Sequence, residues 1–216
     1  MVFRKRFKSS CSSWHPSCSS LETMSRSGFT RTRLFPYHVT VQSNNQEWFH
    51  ISKPVLWEIF LCNCLMVKEE FSIRFHAFVL MSNHFHFLLS TPLANLDQAM
   101  ECFLHETSRS VYRSGGRIDD IFGGPYLSSL ITSSVYFRHA FKYIYRNPVE
   151  ARICSRVQDY AYSSIHDYLG RGQRPFPLSM CRIGDDLLRW GRPDAVLDWL
   201  NVPCSDGMVD CVYLGL

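Results

Sequence analysis

The stretch Met81-Ser82-Asn83-His84-Phe85-His86-Phe87-Leu88-Leu89-Ser90 constrains this chain more than any other. Its apolar and polar residues alternate well enough for a strand, where side chains two apart share a face. His84 and His86 then project together, while Phe85, Phe87 and Leu89 turn into a core. Two imidazoles on one face of a strand can hold a divalent cation. A His-x-His pair is also often just a half-exposed polar pair, so its meaning depends on the sequence around it.

With 216 residues the chain is long enough for one domain with a sizeable core and an appendage. At 46% hydrophobic and 19% charged it belongs to the globular class. The net charge of +4 permits a nucleic-acid partner without requiring one. The excess is concentrated early: Arg4, Lys5, Arg6, Lys8, Arg26, Arg31 and Arg33 face only Glu22. The nine cysteines include no Cys-x-x-Cys, which argues for free thiols in a reducing compartment and against structural zinc. The first 28 residues are basic and Ser-rich without the apolar segment of a secretory signal. No apolar run reaches the length of a membrane span, and a cytoplasmic protein is expected. Residues 1–30 read as a disordered tail, and residues 1–23 alternatively as an extension upstream of a start at Met24.

Tyr37, Val39 and Val41 alternate with His38, Thr40 and Gln42, a first strand ending at Asn44-Asn45. A loop with Trp48 and Phe49 follows, and Lys53-Pro54 opens a helix through about Val67. Phe71 to Met81 reads as a second strand, Ser82-Asn83 as a tight turn, and His84 to Ser90 as a third strand. Leu93 to about Arg113 has helical spacing, with Asn95 or Asp97 to cap it and Gly115-Gly116 to end it. After the Gly123-Gly124-Pro125 turn, Tyr126 to about Thr132 is a fourth strand. This order is the split βαβ, ferredoxin-like α+β arrangement with an antiparallel sheet.

A third helix is expected from Val135 to about Arg146, capped by Ser133 or Ser134 and closed before Pro148. Phe137, Phe141 and Ile144 form its core side. His139, Tyr143 and Asn147 form a stripe beside it at i, i+4 and i+8. Short helices are expected up to Tyr168, over Ile183 to Trp190 and over Ala195 to Leu200. The expected division is therefore a tail 1–30, a domain 31–150 and a helical extension 151–216.

Taken together, three segments carry a family likeness. Phe78 to Leu89 resembles the HUH motif of single-tyrosine transposases in its hairpin setting. Tyr143-Ile144-Tyr145-Arg146-Asn147-Pro148-Val149-Glu150-Ala151-Arg152-Ile153 resembles the nucleophile-bearing helix of the REP-associated tyrosine transposases, and Asp159-Tyr160-Ala161-Tyr162-Ser163-Ser164 the segment after it. The likeness runs from about Leu34 to about Leu200. It implies His84, His86 and Asn147 as metal ligands and Tyr143 as nucleophile, with Tyr145 the weaker candidate. His38 matches a frequent polar position of unassigned role. Ser82 stands where relatives often have Pro, and the basic tail lies outside the family pattern.

The chemistry so implied is coherent. A tyrosine hydroxyl, with a pKa of about 10 in water, is a poor nucleophile at neutral pH. A divalent ion, Mg²⁺ or Mn²⁺, would polarise the scissile phosphate as a Lewis acid. The expected product is a 5′-phosphotyrosine and a free 3′-hydroxyl, a linkage that another 3′-hydroxyl can reverse. The expected partner is single-stranded DNA beside a palindromic hairpin, bound by a monomer or homodimer. Arg31, Arg33, Arg74, Arg138, Lys142 and Arg146 are candidate phosphate contacts, and Trp48 and Phe49 are either base-stacking platforms or core anchors. A non-catalytic nucleic-acid-binding module of the same fold is the alternative, and a replication-initiator or relaxase nickase a third reading. The first lacks an RNP-type run of Gly and aromatics here, and the second is not suggested by the Asn-Pro-Val segment.

Overall fold

A computed structural model describes residues 31–115, 121–172, 176–179 and 193–203. The expected tail 1–30, the helix Ile183 to Trp190 and everything after residue 203 lie outside the described residues. The elements are β1 (Tyr37–Gln42), α1 (Lys53–Phe71), β2 (Arg74–Leu80), β3 (His84–Ser90), α2 (Leu96–Arg113), β4 (Leu127–Leu130), α3 (Ser134–Glu150), α4 (Ile165–Tyr168) and α5 (Pro193–Asn201). The sheet runs β2-β3-β1-β4 with every neighbouring pair antiparallel. β1 and β2 are thus parallel and separated by β3, the ferredoxin-like α+β fold expected from the element order.

Strand alternation builds a core on each side of the sheet. Val39, Val41, Phe85, Phe87 and Leu89 face α1 and α2, where Phe60 meets Phe85 edge-on at 5.0 Å and Phe103 at 5.2 Å. Ala77, Val79 and Leu88 face α3 through Phe137, Phe141 and Ile144, joined by Val157, Tyr160, Ile165, Val196 and Leu200. Burying each such aromatic or aliphatic chain stabilises the fold by about 1.5–3 kcal/mol. The free edge of β2 is closed by later chain: Leu80 N–H donates to Tyr162 O at 3.0 Å, Ser164 N–H to Phe78 O at 2.9 Å, and Ser179 N–H to Phe75 O at 2.6 Å. An edge so paired is no template for another strand.

Three boundaries differ from expectation. α1 continues through Lys68, Glu69, Glu70 and Phe71, because good helix formers outweigh one aromatic β-former, and Ser72 ends it in the left-handed region (φ 58). Asn95 occupies the cap position of α2 without capping it; its amide instead donates to Phe71 O at 3.1 Å. α3 does start on Ser133, whose Oγ accepts from Tyr136 N–H at 3.1 Å, but Pro148 lies inside it. Proline removes the donor that would meet Ile144 O. The last turn still closes, with Ala151 N–H donating to Asn147 O and Ile153 N–H to Pro148 O, each 2.9 Å. Asn147 is therefore a helical residue.

His76 sits at a β2 irregularity between Phe75 and Ala77 and is fully buried. Its Nδ1–H donates to Ser179 O, and Nε2 accepts from the Ser90 hydroxyl at 2.7 Å. Burial pushes its pKa from 6.5 down to about 4. Below 6.5 the unfolded chain takes up a proton that the folded ring refuses, so stability falls as the pH drops from there towards 4. This ring alone should remove on the order of 3 kcal/mol by the end of that window. Urea unfolding at pH 7 and pH 4.5 checks it, and His76→Gln, which cannot take up the proton, should lose less over the same range.

Candidate active site

The register of β1 against β3 sets Thr40 opposite His86 and Gln42 opposite His84, so the two histidines and His38 share the α3-facing side of the sheet. The His84 and His86 rings meet edge-on at 5.0 Å, and His38 stacks on His86 at 5.2 Å. α3 brings Tyr143 over this group, its ring 5.6 Å from His86 and 5.8 Å from His38. One helical turn later, the Asn147 amide donates to Tyr143 O at 3.3 Å and lies close enough to both His84 and His86 to favour their charged forms.

Hydrogen bonds orient the imidazoles. Asn83 Nδ2 donates to Gln46 O at 2.9 Å, which leaves its Oδ1 facing His84 Nδ1 at 2.8 Å. The proton of His84 therefore sits on Nδ1 and the lone pair on Nε2. His86 Nδ1 lies 3.1 Å from His38 Nε2. His86 Nε2 is buried and makes no hydrogen bond, Asn147 included. Burial lowers the pKa of all three rings, that of His38 to about 4. Neutral rings with fixed outer partners and a buried unmatched nitrogen form a donor set that fits a cation. Among the described residues no three His, Cys, Asp or Glu side chains converge as a metal group. A set built here would take its third protein ligand from the Asn147 amide.

Neither a protein-family model nor a curated protein matches the sequence. Among solved structures, a REP-associated tyrosine transposase bound to a REP hairpin superposes with a TM-score of 0.59 at 19% identity, over 73% of this chain and 93% of that one. The chain has the fold of that transposase.

On the transposase fold, Tyr143 and Tyr145 part company. Tyr143 faces the histidines, while Tyr145 is buried in the core with its hydroxyl 2.9 Å from Ser164 Oγ and its pKa raised by burial. His139, the first residue of the Tyr143 stripe, is half-buried on the same helix.

The candidate DNA contacts also divide. Lys142 is buried, with Nζ 5.0 Å over the Trp199 ring. Arg146 is buried too: it pairs with Glu150 at 2.6 Å and donates to Leu200 O at 3.1 Å and Asn201 O at 3.0 Å, the carbonyl end of α5. Both were expected on the solvent side, and both belong to packing instead. Arg146→Ala should cost about 2–4 kcal/mol in urea unfolding, because it strands buried carbonyls, while the salt dependence of any DNA binding by the folded fraction should stay unchanged. Arg31 clamps Asp97 through two bonds of 2.7 and 2.6 Å and holds its carboxyl below the usual range. Arg33 and Arg74 are exposed, and Arg138 is partly so. Arg74 pairs with Ser90, at the opposite end of β3 from His84, about 20 Å along the strand. The loop aromatics have separate fates. Phe49 packs edge-on against Phe122 at 6.1 Å, whereas Trp48 is 76% exposed. Phe49 N–H donates to Ser82 O at 3.0 Å, which ties this loop to the turn before His84.

Two features were missed by sequence reasoning. Asn83 as the partner of His84 was legible as an adjacent polar residue. The His38 contact depends on strand pairing and had no signal in spacing.

Proposed function

We propose that this chain is a REP-associated-type tyrosine transposase: a metal-dependent nickase and strand transferase for single-stranded DNA beside a hairpin. The observation that carries the reading is the meeting of Tyr143 with His86, which lies edge-on to the oriented His84 and leaves its Nε2 unmatched. His84, His86 and Asn147 would hold Mg²⁺ or Mn²⁺, and imidazole ligands favour Mn²⁺. A bound cation would supply Lewis-acid polarisation of a phosphate oxygen.

The chain's own residues do the rest. Tyr143 Oη forms a bond to phosphorus as the bond to the 3′-oxygen breaks, the phenol proton leaves, and the departing 3′-oxygen takes one up. A 3′-hydroxyl running the step backwards rejoins the strand without ATP. Asn147 reaches from the same helix as Tyr143 towards the strand histidines, so the nucleophile and the third ligand are placed as one unit. One protomer carries both, which favours a self-sufficient monomer. Exposed Trp48, on the loop tied to Ser82, would stack a base near the scissile phosphate. Arg33, Arg74 and Arg138 would make phosphate contacts. No helix among the described residues is long and apolar enough to cross a membrane.

The test is a nicking assay on labelled single-stranded hairpins with Mn²⁺ or Mg²⁺. Metal-dependent cleavage with a covalent protein–DNA adduct supports the enzyme. Binding without cleavage across several hairpins and both metals sinks it and leaves a non-catalytic binding module.

A further inference from the structure

We propose that His38 is a positioning residue that fixes the tautomer of His86, so that Nε2 presents a lone pair to the site. The consequence for metal binding rests on the reading above; the tautomer itself does not.

His38 and His86 are both buried and stack with their planes 25° apart. His38 Nε2 and His86 Nδ1 lie 3.1 Å apart, and a single proton can occupy that gap between neutral rings. If His86 Nδ1 donates, its Nε2 carries a lone pair. If His38 Nε2 donates, His86 carries its proton on Nε2 instead. That nitrogen is buried and makes no hydrogen bond in this geometry, so a proton on it would be left unbonded unless the Asn147 amide moved in to take it. A lone pair in the same place can be satisfied by a cation, which an N–H repels.

The neighbouring ligand has the same design. Asn83 Oδ1 takes the His84 Nδ1 proton, and His38 Nε2 stands at the equivalent nitrogen of His86. Both rings are thus held at Nδ1 with Nε2 left for the site. His38 also lies edge-on to Tyr143 at 5.8 Å, so its ring borders nucleophile and ligand at once.

Long-range ¹H–¹⁵N correlation on histidine-labelled wild-type protein reads the tautomer directly, with His86 assigned by its loss in His86→Gln. The expected result is a proton on His86 Nδ1, and a proton on Nε2 overturns the proposal. Mn²⁺ alone, titrated by electron paramagnetic resonance, gives the second readout. His38→Phe keeps a stacked ring but offers no acceptor, and should weaken Mn²⁺ binding about 10–100-fold. His38→Gln, whose side-chain carbonyl can accept the proton, should recover most of it. Equal affinity in folded His38→Phe, checked by circular dichroism, overturns the positioning role. Wild-type protein that binds no Mn²⁺ refutes the metal reading under the proposed function, while the nitrogen spectra still decide the tautomer.

Discussion

Tyr143→Phe should abolish the covalent protein–DNA adduct and lower strand cleavage by at least about 10³-fold, with hairpin binding retained. The substitution removes one oxygen from a half-buried ring and leaves its contacts with His38 and His86 in place. Tyr145→Phe is the matched control. It deletes a hydroxyl bonded to Ser164 Oγ in the core, and should cost about 1 kcal/mol of stability in urea unfolding while adduct formation persists. The adduct is scored by gel shift after denaturation. An adduct in Tyr143→Phe would transfer the nucleophile elsewhere, and its loss in a folded Tyr145→Phe would break the division of labour between the two tyrosines.

His86→Ala should lose metal-dependent cleavage by about 10²–10⁴-fold and weaken Mn²⁺ binding to match. His84→Ala should do the same. Asn147→Ala should retain the histidine pair and fall less far. A chelator should silence the wild type and leave the residual activity of His86→Ala unchanged. The ordering follows from the donors: two oriented imidazoles bind more strongly than one amide oxygen. Calorimetric Mn²⁺ titration beside the cleavage assay separates a binding defect from a misplaced nucleophile. Cleavage by His86→Ala at the wild-type rate would remove the metal from the mechanism.

Much of this was legible along the chain. His84 to Phe87 alternates before the apolar Leu88-Leu89, and His84 to Ser90 is a strand with the expected bounds. The stripe of Tyr143 and Asn147 follows from helical spacing, and both residues reach the histidines. What resisted reading was identity without context. Lys142 and Arg146 look like a DNA-facing pair because charge is visible in a sequence, whereas the Trp199 ring and the α5 carbonyls that receive them are far along the chain. Pro148 reads as a helix stop, but two hydrogen bonds of the last turn close around it. The α1 end was misjudged because no glycine marks Ser72, whose left-handed backbone ends the helix.

The fastening of α3 bears on when the site can exist during synthesis. The strand of His84 and His86 and its sheet partner β1 are complete by Ser90, but α3 is secured by Ser164 against Tyr145 and by Leu200 and Asn201 against Arg146. Chains are made from the N-terminus and their parts fold in that order. A nascent chain halted between Glu150 and Pro193 would have α3 packed on the sheet through Phe137, Phe141 and Ile144 but would lack the Leu200 and Asn201 anchors of Arg146. On the proposed function, ribosome-bound chains of graded length should gain adduct-forming ability only after the last of these anchors has emerged, and an unfinished copy would not cut DNA.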